Sequence, residues 1–150
     1  MRYRERLSVP AYWWVLNALF AGSLLLAIGF FLGPVWAVGV ALACFAVTTA
    51  LFLTAAVSIG VTDSALTVGR AVIEHRYLGE VIALDAAEAR RRRGPGADAR
   101  AYLVLRPYVA SAVEIAVVDP ADPVPYWLVA TRHPRALAAA LTEAAARELH

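Results

Sequence analysis

The sequence predicts an α+β membrane protein, in which an N-terminal transmembrane helical hairpin precedes a small antiparallel β barrel or sandwich closed by a C-terminal amphipathic helix. Three observations predict this class. No charged residue occurs from Leu7 through Thr62, and charges then recur as they do in a soluble domain. Short β-rich runs follow Ser58, and the last residues have the apolar spacing of a helix. The 150 residues therefore divide between two solvents.

The uncharged stretch is long enough for two membrane spans. A hydrocarbon core of about 30 Å requires roughly 20 residues at 1.5 Å per residue. Gly33-Pro34 interrupts the stretch near its middle; glycine favours helix ends, and proline favours helix starts. We therefore predict a membrane unit of residues 1–57 with helices at about 12–32 and 35–57. The very short connection predicts an antiparallel hairpin.

Flanking residues predict the orientation of the hairpin. An aromatic group that suits the headgroup region opens the first span: Tyr12, Trp13 and Trp14. Basic residues stand outside both spans: Arg2, Arg4, Arg6, Arg70 and Arg76. The positive-inside rule then predicts a multi-pass protein of the plasma membrane with both termini cytoplasmic. A cleaved signal peptide is the competing interpretation, but the apolar run is too long for a typical signal peptide and opens with aromatics.

Small residues recur at helix-packing spacing within the spans. They are Ala18 and Gly22 in the first span, and Gly39, Ala43, Ala46 and Ala50 in the second. Such rows let backbones approach closely, so they predict association with a membrane protein partner or with further copies of the chain. Neither span contains an ionisable acid, base or histidine, which argues against a proton or ion pathway. A channel formed by threonines of several copies is left as an alternative.

Residues 58–150 predict a cytoplasmic domain of six or seven short strands. The strand candidates are VSIGV, LTVG, RAVIEHRYL, GEVIALD, AYLVLRPYV, SAVEIAVVD (with Glu114 facing outward) and PYWLVAT. Thr62-Asp63-Ser64 predicts a tight turn, and AAEARRRRGPGADAR predicts an exposed loop. The closing helix, at about 134–149, has an apolar side: Leu137, Leu141, Ala144 or Ala145, and Leu149. Its water-facing candidates are Glu143, Arg147 and Glu148.

Strands followed by one terminal helix are typical of a pleckstrin-homology-like barrel, in which the helix covers an open sheet corner. An oligonucleotide-binding-type barrel is the runner-up, although it usually places its helix in mid-chain. Four stretches, YRERL with PAYWW, VTDSALTVGRA, AYLVLRPYV and DPADPVPYWLVATRHP, resemble the DUF3093 family of small actinobacterial membrane proteins. The resemblance covers nearly the whole chain. It implies two N-terminal spans and a cytoplasmic domain, and it brings no catalytic residues.

The strongest chemical feature is the arginine run. Arg90, Arg91, Arg92 and Arg93 are adjacent, so their mutual repulsion favours exposure. Arginines near an anionic leaflet attract its headgroups. We therefore expect these four residues to contact anionic lipid or a partner. The alternative is a solvated loop that Glu88 and Asp98 balance.

Asp119, Asp122 and His133 are the candidates for chemistry. Two carboxylates three residues apart resemble a divalent-cation or proton-sharing pair. However, the adjoining prolines favour a turn, an edge strand and a helix start instead. His75, which alternates with Ile73 and Tyr77, is expected to be a half-buried, hydrogen-bonded strand residue.

Composition narrows the classes of function. Lysine is absent, which excludes a lysine nucleophile and a P-loop lysine. The net charge of +2 is too small to indicate nucleic acid binding. The single cysteine, Cys44, excludes an intrachain disulfide and a zinc-ligand spacing. We predict a non-enzymatic, membrane-tethered interaction module that uses no cofactor or metal. The alternatives are an accessory subunit of a membrane complex and a small membrane enzyme.

Overall fold

A computed structural model describes residues 2–148. The chain divides into two units. One is Ser8–Ala56, and the other combines Met1–Leu7 with Val57–His150. The second unit is therefore assembled from two stretches of sequence that the first unit separates.

The Ser8–Ala56 unit is a pair of helices, α1 (Ala11–Leu32) and α2 (Pro34–Thr54). Gly33 joins them with a φ of 89°, a value that residues with a Cβ rarely adopt, and Pro34 occupies the first turn of α2. By length and composition both helices could cross a membrane. The predicted break at Gly33-Pro34 is confirmed. The predicted end of the second helix at 57 is wrong, because Val57 begins a strand.

The two helices pack along a row that the sequence did not indicate. Ala37 and Ala41 are buried, and a Cβ placed on Gly29 would lie 3.6 Å from the Cβ of Ala37. The Thr48 hydroxyl hydrogen-bonds to Asn17 Oδ1 at 2.6 Å, and Asn17 is buried. The predicted small-residue rows instead lie on exposed faces: Ala18, Gly22, Gly39, Ala43, Ala46 and Ala50.

The second unit contains two four-stranded sheets. The first has the order β1-β2-β3-β4 and is antiparallel throughout: β1 (Tyr3–Leu7), β2 (Val57–Val61), β3 (Ala65–Val68) and β4 (Ala71–Glu74). The second has the order β5-β7-β8-β6: β5 (Leu78–Leu84), β6 (Tyr102–Val104), β7 (Ala112–Val117) and β8 (Tyr126–Ala130). Within it β6 pairs with β8 in parallel, and the other pairs are antiparallel, so the prediction of a wholly antiparallel domain is wrong at this edge. The remaining helices are α3 (Ala86–Arg93) and α4 (Pro134–Glu148).

Strand β1 was absent from the prediction, which treated this segment only as a basic flank. It pairs with β2 along its whole length, from Tyr3 opposite Val61 to Leu7 opposite Val57. Leu7 has no exposed surface and belongs to the core. The helical hairpin is thus inserted, in sequence, between two neighbouring strands of one sheet.

The larger of two hydrophobic clusters takes side chains from both sheets and from α4. Its fully buried members include Ile59, Leu66, Ile115, Leu137 and Leu141. Helix α4 packs against β5, β7 and β2, so it contacts both sheets. The apolar side predicted for this helix is confirmed at Leu137, Leu141 and Ala144. Leu149 and the side chain of Glu148 lie outside the described residues.

Two local predictions were wrong. The predicted strand RAVIEHRYL is interrupted by a 3-10 turn at His75–Tyr77, which lies between β4 and β5. The predicted loop containing the arginine run begins with helix α3. Its first residues are alanines, which have the highest helix propensity, and an aspartate caps it.

Candidate functional site

Helix α3 is well formed for its length because both of its ends match the helix dipole. Asp85 Oδ1 accepts from the Glu88 backbone N–H at 2.8 Å, and Glu88 Oε2 accepts from the Asp85 N–H at 3.0 Å. This capping box satisfies N–H groups that would otherwise lack partners. The four arginines, Arg90 to Arg93, occupy the last turn, where positive charge is favourable. The arginine run is therefore positioned by a helix and not by a loop.

Arg92 is committed to the fold of the domain. Its Nη2 donates to Glu114 Oε1, and its Nε lies within ion-pair distance of Oε2 without good hydrogen-bond alignment. The guanidinium also lies 5.3 Å from the centre of the Tyr126 ring. Hydrogen bonding to Glu114 raises the pKa of Arg92 above its usual value.

Glu114 was predicted to face outward, and this is wrong, because its side chain is buried. Strand β7 lies between β5 and β8 in the interior of its sheet, and helix α3 contacts β7 and β5. The outer face of β7 is therefore covered, and Arg92 neutralises the carboxylate there. Truncating Arg92 would leave a buried charge without its partner, which is costly.

Arg93 is also engaged with the domain. Its Nη2 donates to the backbone carbonyls of Val109 and Ala110, the first at 3.2 Å. Its Nε is buried and has no hydrogen-bond partner. Arg93 therefore holds the segment between β6 and β7 against the end of α3.

Arg90 and Arg91 differ from their two neighbours. Both are exposed, and neither guanidinium has a hydrogen bond or ion pair to any residue that the structure describes. With Arg93 they line an open depression of about 910 Å³, whose other walls are Ala86, Ala87, Gly94, Pro95 and Ala110. Among these described lining residues none is acidic. The depression therefore has the charge expected of an anion-binding surface.

Asp119, Asp122 and His133 are not brought together. Asp119 Oδ1 accepts from the Ala121 N–H at 2.9 Å, and Asp122 Oδ1 accepts from the Val124 N–H at 3.0 Å. These two carboxylates stabilise the turn that precedes β8. His133 follows the other end of the same strand, a distance of roughly 17 Å along five residues.

The local role of His133 is structural. Its backbone N–H donates to Thr131 Oγ1 at 3.1 Å, and its carbonyl accepts from the Leu137 N–H at 3.0 Å. Both bonds form the start of α4. In the part of the chain that the structure describes, no group of three His, Cys, Asp or Glu residues could hold a metal ion.

His75 is hydrogen-bonded, as expected, but it is buried in the 3-10 turn and does not lie on a strand face. Its Nε2 lies 3.0 Å from the Thr62 carbonyl oxygen. A carbonyl can only accept, so Nε2 carries a proton in this geometry. His75 thus connects the turn after β4 to the turn after β2.

The sequence interpretation missed a buried polar cluster around Glu5. Glu5 accepts hydrogen bonds from the Tyr3 hydroxyl at 2.8 Å, from the Thr131 hydroxyl, and from the Arg132 backbone N–H at 2.9 Å. Burial, together with the neighbouring Glu5 carboxylate, raises the pKa of Tyr3 to about 12, although a contact of 3.5 Å between its hydroxyl and that of Thr131 lowers it. The one sequence pattern that could have indicated this cluster is the alternation in YRERL, which places Tyr3, Glu5 and Leu7 on one face of a strand.

The family model described as "Protein of unknown function (DUF3093)" matches residues 2–141. No curated protein and no solved structure matches the chain. The match includes β1, both long apolar helices, the arginine helix α3 and most of α4. The chain therefore belongs to the DUF3093 family.

Proposed function

We propose that this protein is an integral protein of the plasma membrane, in which α1 and α2 anchor a cytoplasmic, non-enzymatic interaction domain. The observation that carries the proposal is the pairing of β1 with β2. These strands immediately precede α1 and follow α2, and paired strands must lie on the same side of a membrane. The hairpin therefore crosses the bilayer an even number of times.

The dimensions and exposure of the helices support the bilayer. Helices of 22 and 21 residues extend about 33 and 32 Å at 1.5 Å per residue, close to the thickness of a hydrocarbon core. In their most apolar windows only 6% and 11% of the residues are buried. A core helix of a soluble protein would bury one face against other elements, whereas Phe30 and Phe31 are 84% and 81% exposed.

The same strand pairing argues against a cleaved signal sequence. Cleavage after α1 would detach β1 from the mature protein. The sheet would then lose its edge strand, Leu7 would leave the core, and the hydrogen bonds of Glu5 would be lost. A segment that completes the mature fold is poorly suited to removal.

The distribution of charge supports cytoplasmic termini. Arg4 and Arg6 are exposed on β1, and Arg70 is exposed in the turn after β3. Arg6 lies opposite Ser58 in the β1–β2 register, and the Ser58 carbonyl accepts from the N–H of Gly69, which precedes Arg70. Arg6 and Arg70 therefore lie at the same end of the sheet. This is also the end at which the chain continues into the helices. The opposite loop, at Gly33, contains no charge, as the positive-inside rule requires of the outer side.

The domain architecture supports a pleckstrin-homology-like scaffold. Two sheets share one core, and a C-terminal helix contacts both of them. The parallel edge strand β6 is an addition to that pattern. Such a scaffold supplies binding surfaces without requiring a catalytic cleft, and Asp119 and Asp122 precede β8 whereas His133 follows it.

A second candidate function is that of an accessory subunit in a larger membrane complex. The exposed small residues on α2 favour this role, because they leave room for another helix to approach closely. At Gly39, for example, an added Cβ would meet no atom within 4 Å. Gly39→Leu with Ala43→Leu would block close helix approach from outside the hairpin. We expect this variant to lose crosslinked partner bands in native membranes, with Leu42→Ile as the matched control; unchanged bands would contradict this candidate.

Reporter fusions and alkaline extraction test the main proposal. A reporter placed after residue 150 should be active only on the cytoplasmic side, and one inserted at Gly33 only on the outer side. The protein should stay with the membrane pellet after carbonate washing. Release by carbonate, or an external reporter signal at residue 150, would refute the proposal.

A further inference from the structure

We propose that the depression at the end of α3 binds the phosphate of an anionic phospholipid headgroup through Arg90, Arg91 and Arg93. The inference deepens the proposed function, because it rests on a domain that is attached to a bilayer. It assigns the contact to three of the four adjacent arginines and excludes Arg92, whose side chain is paired with Glu114.

The free charges are the first argument. Arg90 and Arg91 are exposed on the last turn of α3, and their guanidiniums have no partner among the described residues. The nearest acids in the sequence are otherwise engaged: Glu88 serves in the capping box, and Asp98 pairs with Arg100 at 3.2 Å. Two guanidiniums therefore remain without a counter-charge, and guanidiniums match the geometry of phosphate oxygens.

The shape and rigidity of the depression are the second argument. Arg93 lines it in a fixed position, because its Nη2 is held by two backbone carbonyls. The remaining walls are small and apolar, with alanines from α3 and from the segment before β7, and Pro95. A phospholipid headgroup complements this surface, because its phosphate can contact the arginines and its glycerol backbone can lie against the apolar wall.

Chain connectivity selects lipid over a free anion as the source of the phosphate. The segment that Arg93 holds also contains Tyr108, whose hydroxyl donates to the Leu7 carbonyl at 3.2 Å. Leu7 is the last residue of β1, and three residues connect it to α1. A domain attached through such short connections meets headgroups at a high effective concentration, so even weak individual contacts become occupied.

The test uses the full chain in neutral detergent, with short-chain phosphatidylglycerol as the probe and lipid adducts counted by native mass spectrometry. Each arginine near an anionic surface is expected to contribute about fivefold in affinity, so R90Q/R91Q should weaken binding about thirtyfold. R90K/R91K keeps both charges and should stay within about threefold of the natural chain. Thermal unfolding should not change, because neither side chain has a partner in the described structure.

Matched controls decide between the outcomes. R4Q/R135Q removes the same charge from exposed positions outside the depression and should leave binding within about twofold. Phosphatidylcholine should bind at least tenfold more weakly, and inorganic phosphate should not displace phosphatidylglycerol at equal concentration. The proposal is overturned if R90Q/R91Q binds normally, if R4Q/R135Q loses as much affinity, or if free phosphate competes equally. Carbonate extraction tests the membrane anchor separately, so the two proposals can fail independently.

Discussion

Removing the Glu5 carboxylate should release β1 from the β domain. Glu5→Ala leaves the Thr131 hydroxyl, which is fully buried, without its acceptor. It also removes the acceptor of the Arg132 N–H and of the Tyr3 hydroxyl. Hydrogen bonds to a charged group contribute about 1.5–3 kcal/mol each when buried. Because Tyr3 is only partly buried and regains water, we expect a total loss of about 3 kcal/mol.

Hydrogen exchange measures this loss where it occurs. A destabilisation of about 3 kcal/mol should accelerate exchange in β1 and β2 by about 100-fold, since each factor of ten corresponds to about 1.4 kcal/mol. Glu5→Gln retains one acceptor oxygen and should cost about half as much. Arg4→Ala changes the neighbouring exposed side chain and should have an effect below about 0.5 kcal/mol. If exchange in Glu5→Ala matched that of Arg4→Ala, the cluster would not be holding β1, and the reasoning would be wrong.

Three further changes test separate parts of the structure. The folded state raises the pKa of Tyr3 to about 12 from an ordinary value of 10. The contribution of Tyr3 to the free energy of unfolding is therefore fully present below pH 10 and is lost as the pH rises through 12. For a fully buried group this loss of unfolding free energy would be about 2.7 kcal/mol, and the partial exposure of Tyr3 reduces it to about 1 kcal/mol. In unfolding curves measured over a pH series, Tyr3→Phe should not show this loss at alkaline pH. Arg92→Ala should lower stability by about 2 kcal/mol in thermal unfolding, because Glu114 stays buried without its ion pair. Changing both Arg92 and Glu114 to leucine should recover most of this loss. Asn17→Leu removes the hydrogen bond between the helices and should lower the resistance of the hairpin to denaturing detergent by about 0.6 kcal/mol; equal resistance would mean that the Thr48 contact contributes nothing.

The sequence by itself determined the division of the chain and its local breaks. The uncharged stretch and the Gly33-Pro34 step predicted two long apolar helices, and the structure contains both. The spacing of Leu137 and Leu141 predicted the closing helix and its buried side. The turn at Asp119 was also predictable. These features depend on hydropathy, backbone preferences and neighbours within about one turn of chain, all of which can be read along the sequence.

Only the tertiary structure decided which groups meet across long distances in sequence. Strand β1 pairs with a strand that lies beyond the entire helical hairpin; the alternation in YRERL is compatible with a strand but does not indicate which strand it pairs with. The four arginines are alike in sequence, but contacts with β7 and with the segment before it commit Arg92 and Arg93 and leave Arg90 and Arg91 exposed. Glu114 likewise became a buried ion-pair partner because α3 covers its strand. Burial and pairing are properties of the assembled surfaces, so no pattern within a single segment specifies them.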